Sequence, residues 1–404
     1  MTKGTPELDQ LFPRVVSADE DEGLDHLATK HEEFVNYSGV EENDAAAEQI
    51  EKFKEQEFVS AFDSLQAARA HLGADPVLSK LGVVTQEKRR PNGDIVTKTR
   101  IIGDNKEAGV STTAKRTHRS TLPRATNAIG GVLGLMRNTD DSLVYLLIAD
   151  VRDAFWLIPL AWEERRFFVA KFRGQYLVFN RTAQGSRAAP LTWAAVAALF
   201  ARCVQSTFLT ADGWEAKLQM YVDDPLLALK GSDSRRARLV ARFLAIWLLL
   251  GVDLAFDKAK LDTSVVWIGI RLSVFRDRVV ASAPTEKASE LLELVETMLR
   301  KNVVSVLEVR SLAGKAMNVA SLLFVWRPFL SAFWAAITTA TGSPAVNCIW
   351  VKQIAVTLCW LQASLIGRRG HIERIFTLDF FTTAVLGWKS RLMRLHGVLG
   401  LGFR

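Results

Sequence analysis

Three cysteines in 404 residues, none in a Cys-x-x-Cys pair, leave no disulfide framework and no thiolate zinc site. The six histidines show no His-Glu-x-x-His or comparable ligand spacing, which excludes a histidine-held zinc as well. Residues 1–10 are neither basic nor apolar, so no secretory signal is expected. The longest unbroken apolar runs, such as 243–250, fall well short of the roughly 18 to 20 residues that a membrane span needs. The chain therefore reads as soluble and intracellular, cytoplasmic or nuclear, with no membrane partner and with Cys203, Cys348 and Cys359 reduced in the core. Internal repeats and low-complexity stretches are absent, and residues 380–404 hold no Asp or Glu.

What is present is an uneven charge. The net charge is +7, but residues 1–60 hold 16 acids against 5 bases, which leaves 46 bases against 28 acids in residues 61–404. A body with that excess suits a polyanionic partner such as nucleic acid. The acidic front reads as a solvated, partly disordered extension. An apolar fraction of 49% and a charged fraction of 24% are those of an ordinary globular protein, long enough for two or three domains.

Residues 44–72 carry apolar positions at three- and four-residue steps, a helical pattern stopped by Gly73 and Pro76. Two β-type runs follow, 81–88 and 95–102, around Pro91-Asn92-Gly93-Asp94, and Asn-Gly is a strong hairpin signal. Lys88, Arg89, Arg90, Lys98 and Arg100 line this ribbon, either as a protected edge or as a grip on phosphates. A continuous apolar strand, 143–149, ends on Asp150. Residues 167–170 and 176–179 pair through Gly174, and helices are expected over 192–205 and 232–250. Residues 265–269 form a short strand closed by glycine; 285–301, 306–321 and 326–340 are successive helices, and from 341 onward the pattern is mostly apolar helix.

The chemistry gathers around Tyr221-Val222-Asp223-Asp224, two carboxylates at the tip of an apolar hairpin. Alone, the pair suits a polar turn as well as a metal site, since turns favour Asp. Asp150 changes the balance: a carboxylate at the end of a buried strand is costly unless a cation offsets it. Two-metal phosphoryl transfer needs carboxylates from different elements converging on one site, and Asp150 is the candidate third ligand.

With these residues in order, the chain resembles the reverse transcriptase core of retroelements. Asp150-Val151-Arg152-Asp153-Ala154-Phe155 resembles the first palm motif, with Ile158-Pro159-Leu160 after it. Gln184-Gly185 with Pro190 resembles the second, Tyr221 to Asp224 the third, and Lys258 the lysine of the fourth. Trp267-Ile268-Gly269 is similar to the primer grip, and the basic hairpin to the fingers. The ordered match runs over residues 82–334.

The resemblance implies an α+β, right-hand polymerase fold: an acidic helical extension over 1–75, fingers and palm over 76–284, a helical thumb over 285–340 and a connection-like helical tail over 341–404. It implies an RNA-directed and DNA-directed DNA polymerase of a retrotransposon, gypsy-like or of the tyrosine-recombinase type. Its partners would be an RNA template, a DNA primer/template duplex and dNTPs, and its cofactor Mg²⁺, with Mn²⁺ as an alternative. Asp150, Asp223 and Asp224 would be catalytic and hold metal with the Val151 carbonyl. Arg100, Lys88, Asp153, Ala154, Phe155, Gln184 and Lys258 would meet the dNTP. Gly185, Tyr221, Trp267 and Gly269 would meet template and primer. Phe155 would be the steric gate against a ribose 2′-hydroxyl, although on spacing alone it suits a core aromatic. Lys258 would protonate pyrophosphate or simply bind phosphate.

The chain departs from the pattern at Thr182-Ala183, Ser186-Arg187 and Gly103, which bears on fidelity and template grip more than on competence. Phe376-Thr377-Leu378-Asp379 reads as a vestigial first strand of a ribonuclease H domain that the acid-free residues 380–404 cannot complete, as in one piece of a polyprotein or a truncated copy. The rival readings are a catalytically silent remnant that binds nucleic acid and a viral RNA-dependent RNA polymerase.

Overall fold

The computed structural model describes residues 27, 31–89, 95–113, 120–137, 142–211, 213–323, 326–338, 344–367 and 372–378. It divides into two units, Met1–Thr121 with Arg152–Leu199, and Leu122–Val151 with Phe200–Arg404.

The first unit holds α1 (Asp44–Glu55), β1 (Val59–Phe62), α2 (Leu65–Leu72), the hairpin β2 (Lys80–Arg89) and β3 (Ile95–Asp104), the single turn α3 (Val110–Thr113), and the pair β5 (Val169–Phe172) and β6 (Gln175–Phe179). The continuous helical pattern of 44–72 is broken in the fold. Helix α1 stops before Glu57, which sits at φ +57, and residues 59–62 leave the helix to pair antiparallel with β6, Val59 opposite Phe179. Ser64 then restarts the helix, its side chain accepting from the Ala67 amide at 3.1 Å. Strand pairing outweighs the local period here because it joins Val59 to a core with Trp156 and Phe179. Trp156 stacks on Phe58 with ring centroids 5.3 Å apart.

The acidic front is not all a solvated tail. Val40, Ala46 and Ile50 are buried in that same core, because the helix turns its apolar stripe inward and its carboxylates outward. Residues 1–26, with seven of the sixteen acids, lie outside the described residues, as does the hairpin tip 90–94.

The second unit is built on an antiparallel sheet in the order β11 (Lys260–Asp262), β4 (Val144–Ile148), β10 (Asp224–Lys230), β9 (Ala216–Tyr221). Helix α4 (Ala125–Met136) packs its buried Ile129, Val132 and Leu133 into one core with Leu146, Leu226 and Ala228 of this sheet. Each such side chain contributes roughly 1.5–3 kcal/mol by leaving water. Helix α5 (Ala189–Ser206) leads into the small hairpin β7 (Leu209–Thr210) and β8 (Gly213–Trp214), and α6 (Asp233–Leu249) follows β10 with Ser232 as its cap.

A second sheet, β12 (Ser264–Trp267), β13 (Ile270–Val274), β14 (Arg278–Ser282) and β17 (Glu373–Thr377), adjoins the helices α7 (Thr285–Leu299), α8 (Val306–Ala320), α9 (Arg327–Thr338) and α10 (Ala355–Gly367). The three helices expected after residue 284 are present. The region beyond 341 contains more than helix: β16 (Cys348–Trp350) pairs with β15 (Val303–Ser305), and β17 pairs antiparallel with β14. Phe376 and Thr377 thus belong to the fourth strand of this sheet, opposite Val279 and Arg278, rather than opening a separate one; Asp379 lies outside the described residues.

Two expectations about side chains and membranes meet the structure here. Cys203 and Cys359 are exposed and Cys348 is half-buried, so the cysteines are free but not core residues. Their helices and strand are apolar as sequence, but these positions face outward. Among the described residues no helix is long and apolar enough to cross a membrane.

Candidate active site

Strand register builds the site. Ile148 lies opposite Leu226 on β10 and opposite Lys260 on β11. On the β10 flank, continuing the pairing by two residues sets Asp150 beside Asp224. The pairing does extend past the strands: Ala149 N–H donates to the Pro225 carbonyl at 3.3 Å and Val151 N–H to the Asp223 carbonyl at 2.9 Å. On the other flank Ala255 N–H donates to the Asp150 carbonyl at 2.8 Å, and Val151 bridges Leu254. The β11 register stops short of this end: Phe256–Lys258 form a 3-10 turn, and from it the Lys258 ammonium reaches Asp150, so two acids and a lysine gather at one end of the sheet.

The β9–β10 turn holds Val222 and Asp223, with Tyr221 paired to Asp224. Val222 sits at φ +54, a conformation that costs a β-branched residue about 1–2 kcal/mol. The turn keeps it because its surroundings over-determine it. Besides the bond from Val151, the buried indole of Trp267 donates Nε1–H to the Asp224 carbonyl at 3.0 Å. Tyr221 meets the Trp267 ring edge-on at 6.4 Å.

Electrostatics mark this end of the sheet. Burial, and then the neighbouring Asp223 charge, push the Asp224 carboxyl up to about 6. Asp150 is answered differently: its Oδ2 is ion-paired with the Lys258 ammonium. The donors are all oxygens from carboxylates on adjacent strand ends, the set that suits a hard divalent cation. As oriented, Asp150 faces Lys258, and among the described residues no three acid, His or Cys side chains stand close enough together to hold an ion. The position and chemistry of the donors fit a metal, and the Lys258 ammonium is the positive charge paired with Asp150.

The other residues singled out in the sequence divide between the units. Asp153, Ala154, Phe155, Gln184, Gly185 and Arg100 belong to the first. Ala154 is buried, Phe155 and Arg100 are half-buried and Asp153 is exposed at φ +50. The Phe155 carbonyl accepts from Thr182 Oγ1 at 2.5 Å, and the core aromatic of this segment is Trp156, so Phe155 is not the deeply buried ring of the motif. Gly185, at φ +102, lies so close to β3 that a Cβ would stand 2.2 Å from the Gly103 carbonyl oxygen. Gly103 N–H in turn donates to the Gln184 carbonyl at 3.3 Å. The side chain of Lys88 lies outside the described residues.

In the second unit Trp267 is only 2% exposed, so its side chain supports the turn rather than reaching a ligand. Gly269 forms the β12–β13 turn at φ +78. Sequence reasoning found the acids but missed the indole brace; a Trp one strand beyond the fourth motif was the available signal.

Residues 100–272 match the family model described as reverse transcriptase (RNA-dependent DNA polymerase). Among solved structures, a foamy viral protease-reverse transcriptase in complex with an RNA/DNA hybrid is similar, with a TM-score of 0.53 and 15% identity over 82% of this chain and 37% of that one. A second foamy viral protease-reverse transcriptase, in complex with double-stranded DNA, gives 0.51 and 14% over 90% and 61%. The chain thus spans less than two thirds of the length of either. No curated protein matches it by sequence. The fold is similar to the right-hand polymerase fold of these structures, and residues 100–272, the part that resembles the reverse transcriptase family model, hold the acids and every strand beneath them.

Proposed function

We propose that the protein is an RNA-directed DNA polymerase of a retrotransposon, also able to copy DNA, and that it joins dNTPs to a primer 3′-hydroxyl with Mg²⁺ or Mn²⁺. The observation that carries this is the gathering of Asp150, Asp223, Asp224 and the paired Lys258 at one end of the β11–β4–β10 sheet, inside the matched residues. Asp150, Asp223 and Asp224, with the Val151 carbonyl, would hold the metal. Bound there, the ions would supply Lewis acidity toward the primer hydroxyl and the leaving pyrophosphate.

The chain's own groups do the rest. The strained Val222 turn fixes Asp223, and the Trp267 brace fixes Asp224. Lys258, whose ammonium lies beside Asp150, would take up phosphate charge or give a proton there. Arg100, Lys88, Asp153, Ala154, Phe155 and Gln184 are assigned to the incoming dNTP by the resemblance, with Phe155 as the gate against ribose. Residues 76–284 would be fingers and palm, 285–340 thumb and 341–404 connection. A gypsy-like or tyrosine-recombinase-type origin rests on the resemblance of the helices that include Ser311-Leu312-Ala313-Gly314-Lys315.

The test is primer extension on a poly-rA template with dTTP and Mg²⁺. Wild type should extend the primer and Asp223→Asn should not. A folded, template-binding wild type that fails to extend would instead support the silent remnant. Phe155→Ala should admit ribonucleotides, and unchanged discrimination would remove Phe155 from the gate.

A further inference from the structure

The turn joining β12 to β13 carries a conflict between sequence and shape. Trp267 pairs with Ile270, so the loop is the two residues Ile268 and Gly269, at φ +45 and φ +78. Two left-handed residues in a two-residue hairpin loop define the geometry for which Asn-Gly is the natural choice. Gly269 suits it; a β-branched residue at position 268 does not. Left to itself, this loop would not hold such a shape.

Helix α8 overrides that preference. Asn318 Nδ2 donates to the Ile268 carbonyl at 3.2 Å. A Cβ on Gly269 would stand 3.3 Å from Asn318 Oδ1 and 2.2 Å from Lys287 Nζ, so the two side chains close over the glycine. Ile268 packs against the large core of this unit. The same strand end carries Trp267, whose indole is bonded to the Asp224 carbonyl. A helix after β14 thus fixes a turn whose other end braces the acidic turn.

We propose that Asn318 is a positioning residue for the primer terminus: by holding the Ile268–Gly269 turn left-handed it sets where that backbone meets the primer. The primer role rests on the polymerase reading above; the anchoring of the turn does not. The cost of a left-handed isoleucine and the gain from one hydrogen bond are of similar size. Losing the Asn318 donor should therefore let the turn sample a second conformation without unfolding the sheet.

Two measurements on the full chain test this. Hydrogen exchange should quicken at least tenfold at the 268–270 amides in Asn318→Ala, with the β9–β10 amides unchanged. In steady-state extension of oligo-dT on poly-rA, the same variant should raise the KM for primer–template about tenfold, with kcat and the KM for dTTP within twofold of wild type. Ile268→Asn, which suits the left-handed position by itself, should restore both readings in the Asn318→Ala background to within about threefold of wild type. Unchanged exchange at the turn overturns the anchoring. A fall in kcat with an unchanged primer KM, or no rescue by Ile268→Asn, overturns the positioning role. If wild type extends nothing, the polymerase reading fails, and oligo-dT/poly-rA affinity replaces KM: tenfold weaker binding by Asn318→Ala upholds the role, and equal binding rejects it.

Discussion

The Trp267 indole N–H donates to the Asp224 carbonyl oxygen at 3.0 Å, joining the β12 hairpin to the acidic turn by one partly buried hydrogen bond. The bond acts on the backbone of Asp224 and leaves its carboxylate uncommitted to Trp267. Replacing Trp267 by Phe keeps an aromatic ring against Tyr221 but leaves that carbonyl without its indole donor. Stability should fall by about 1–3 kcal/mol, measured by urea unfolding. Primer extension should slow roughly tenfold through misplaced acids. A loss of stability with full activity would show that the brace holds the fold and not the site.

Gly185 and Gly103 make opposite predictions although they touch. At Gly185 a side chain would adopt φ +102 and meet the rigid Gly103 carbonyl at 2.2 Å, so Gly185→Ala should cost at least about 2 kcal/mol. At Gly103 a Cβ would meet only Asn105 Oδ1, at 3.8 Å, so Gly103→Ala should stay within about 0.5 kcal/mol of wild type. Thermal unfolding of the two variants decides it. Equal tolerance would mean that β3 and the Gln184 loop separate easily.

The acids, their order and the strands beneath them were legible because each rests on a local pattern: an apolar run ending in Asp150, and alternating apolar flanks around Asp223 and Asp224. The lysine was legible too, but its partner was not. That Lys258 answers Asp150 follows from the turn Phe256–Lys258 after the Val151–Leu254 bridge, a long-range placement that no local pattern specifies. The helical reading of 44–72 failed at Glu57 for the same reason, since β1 exists only by pairing with β6. Exposed Cys203 and Cys359 show the limit of composition: an apolar neighbourhood in sequence does not say which face of a helix is turned inward.

Glu308 gives the clearest pH dependence. It closes a capping box at the start of α8: its Oε2 accepts from the Ser305 amide at 2.8 Å, and its own amide donates to Ser305 Oγ at 3.1 Å. The Lys301 ammonium, 2.6 Å away, and then the Ser305 donors hold the Glu308 carboxyl down at about 2, below its ordinary 4.5. The folded state therefore binds this proton less readily than the unfolded chain. The stabilisation is present above about pH 4.5 and is lost as pH falls through 4.5 toward 2. Because the side chain is 39% exposed, its worth is about 1 kcal/mol after screening. Urea unfolding at pH 7 and pH 3 should show Glu308→Gln less stable than wild type by that amount at pH 7, with the gap mostly closed at pH 3. An equal gap at both values would assign the loss to packing.

The Lys258 ammonium reaches Asp150 from the turn Phe256–Lys258, and their ion pair makes a prediction that separates metal binding from turnover. A lysine that only bound phosphate would leave the affinity of the acids for a cation unchanged when removed. A lysine that neutralises Asp150 in the metal-free protein competes with the cation for the same oxygens. Lys258→Met should therefore bind Mn²⁺ about two- to fivefold more tightly than wild type, by titration followed by electron paramagnetic resonance, since a half-exposed pair is worth up to about 1 kcal/mol. Primer extension by the same variant should nonetheless slow by at least roughly tenfold, because the ammonium beside Asp150 is gone. Asp150→Asn should weaken Mn²⁺ binding and abolish extension together. Weaker Mn²⁺ binding in Lys258→Met would mean that the lysine orients Asp150 for the ion instead of standing in its place.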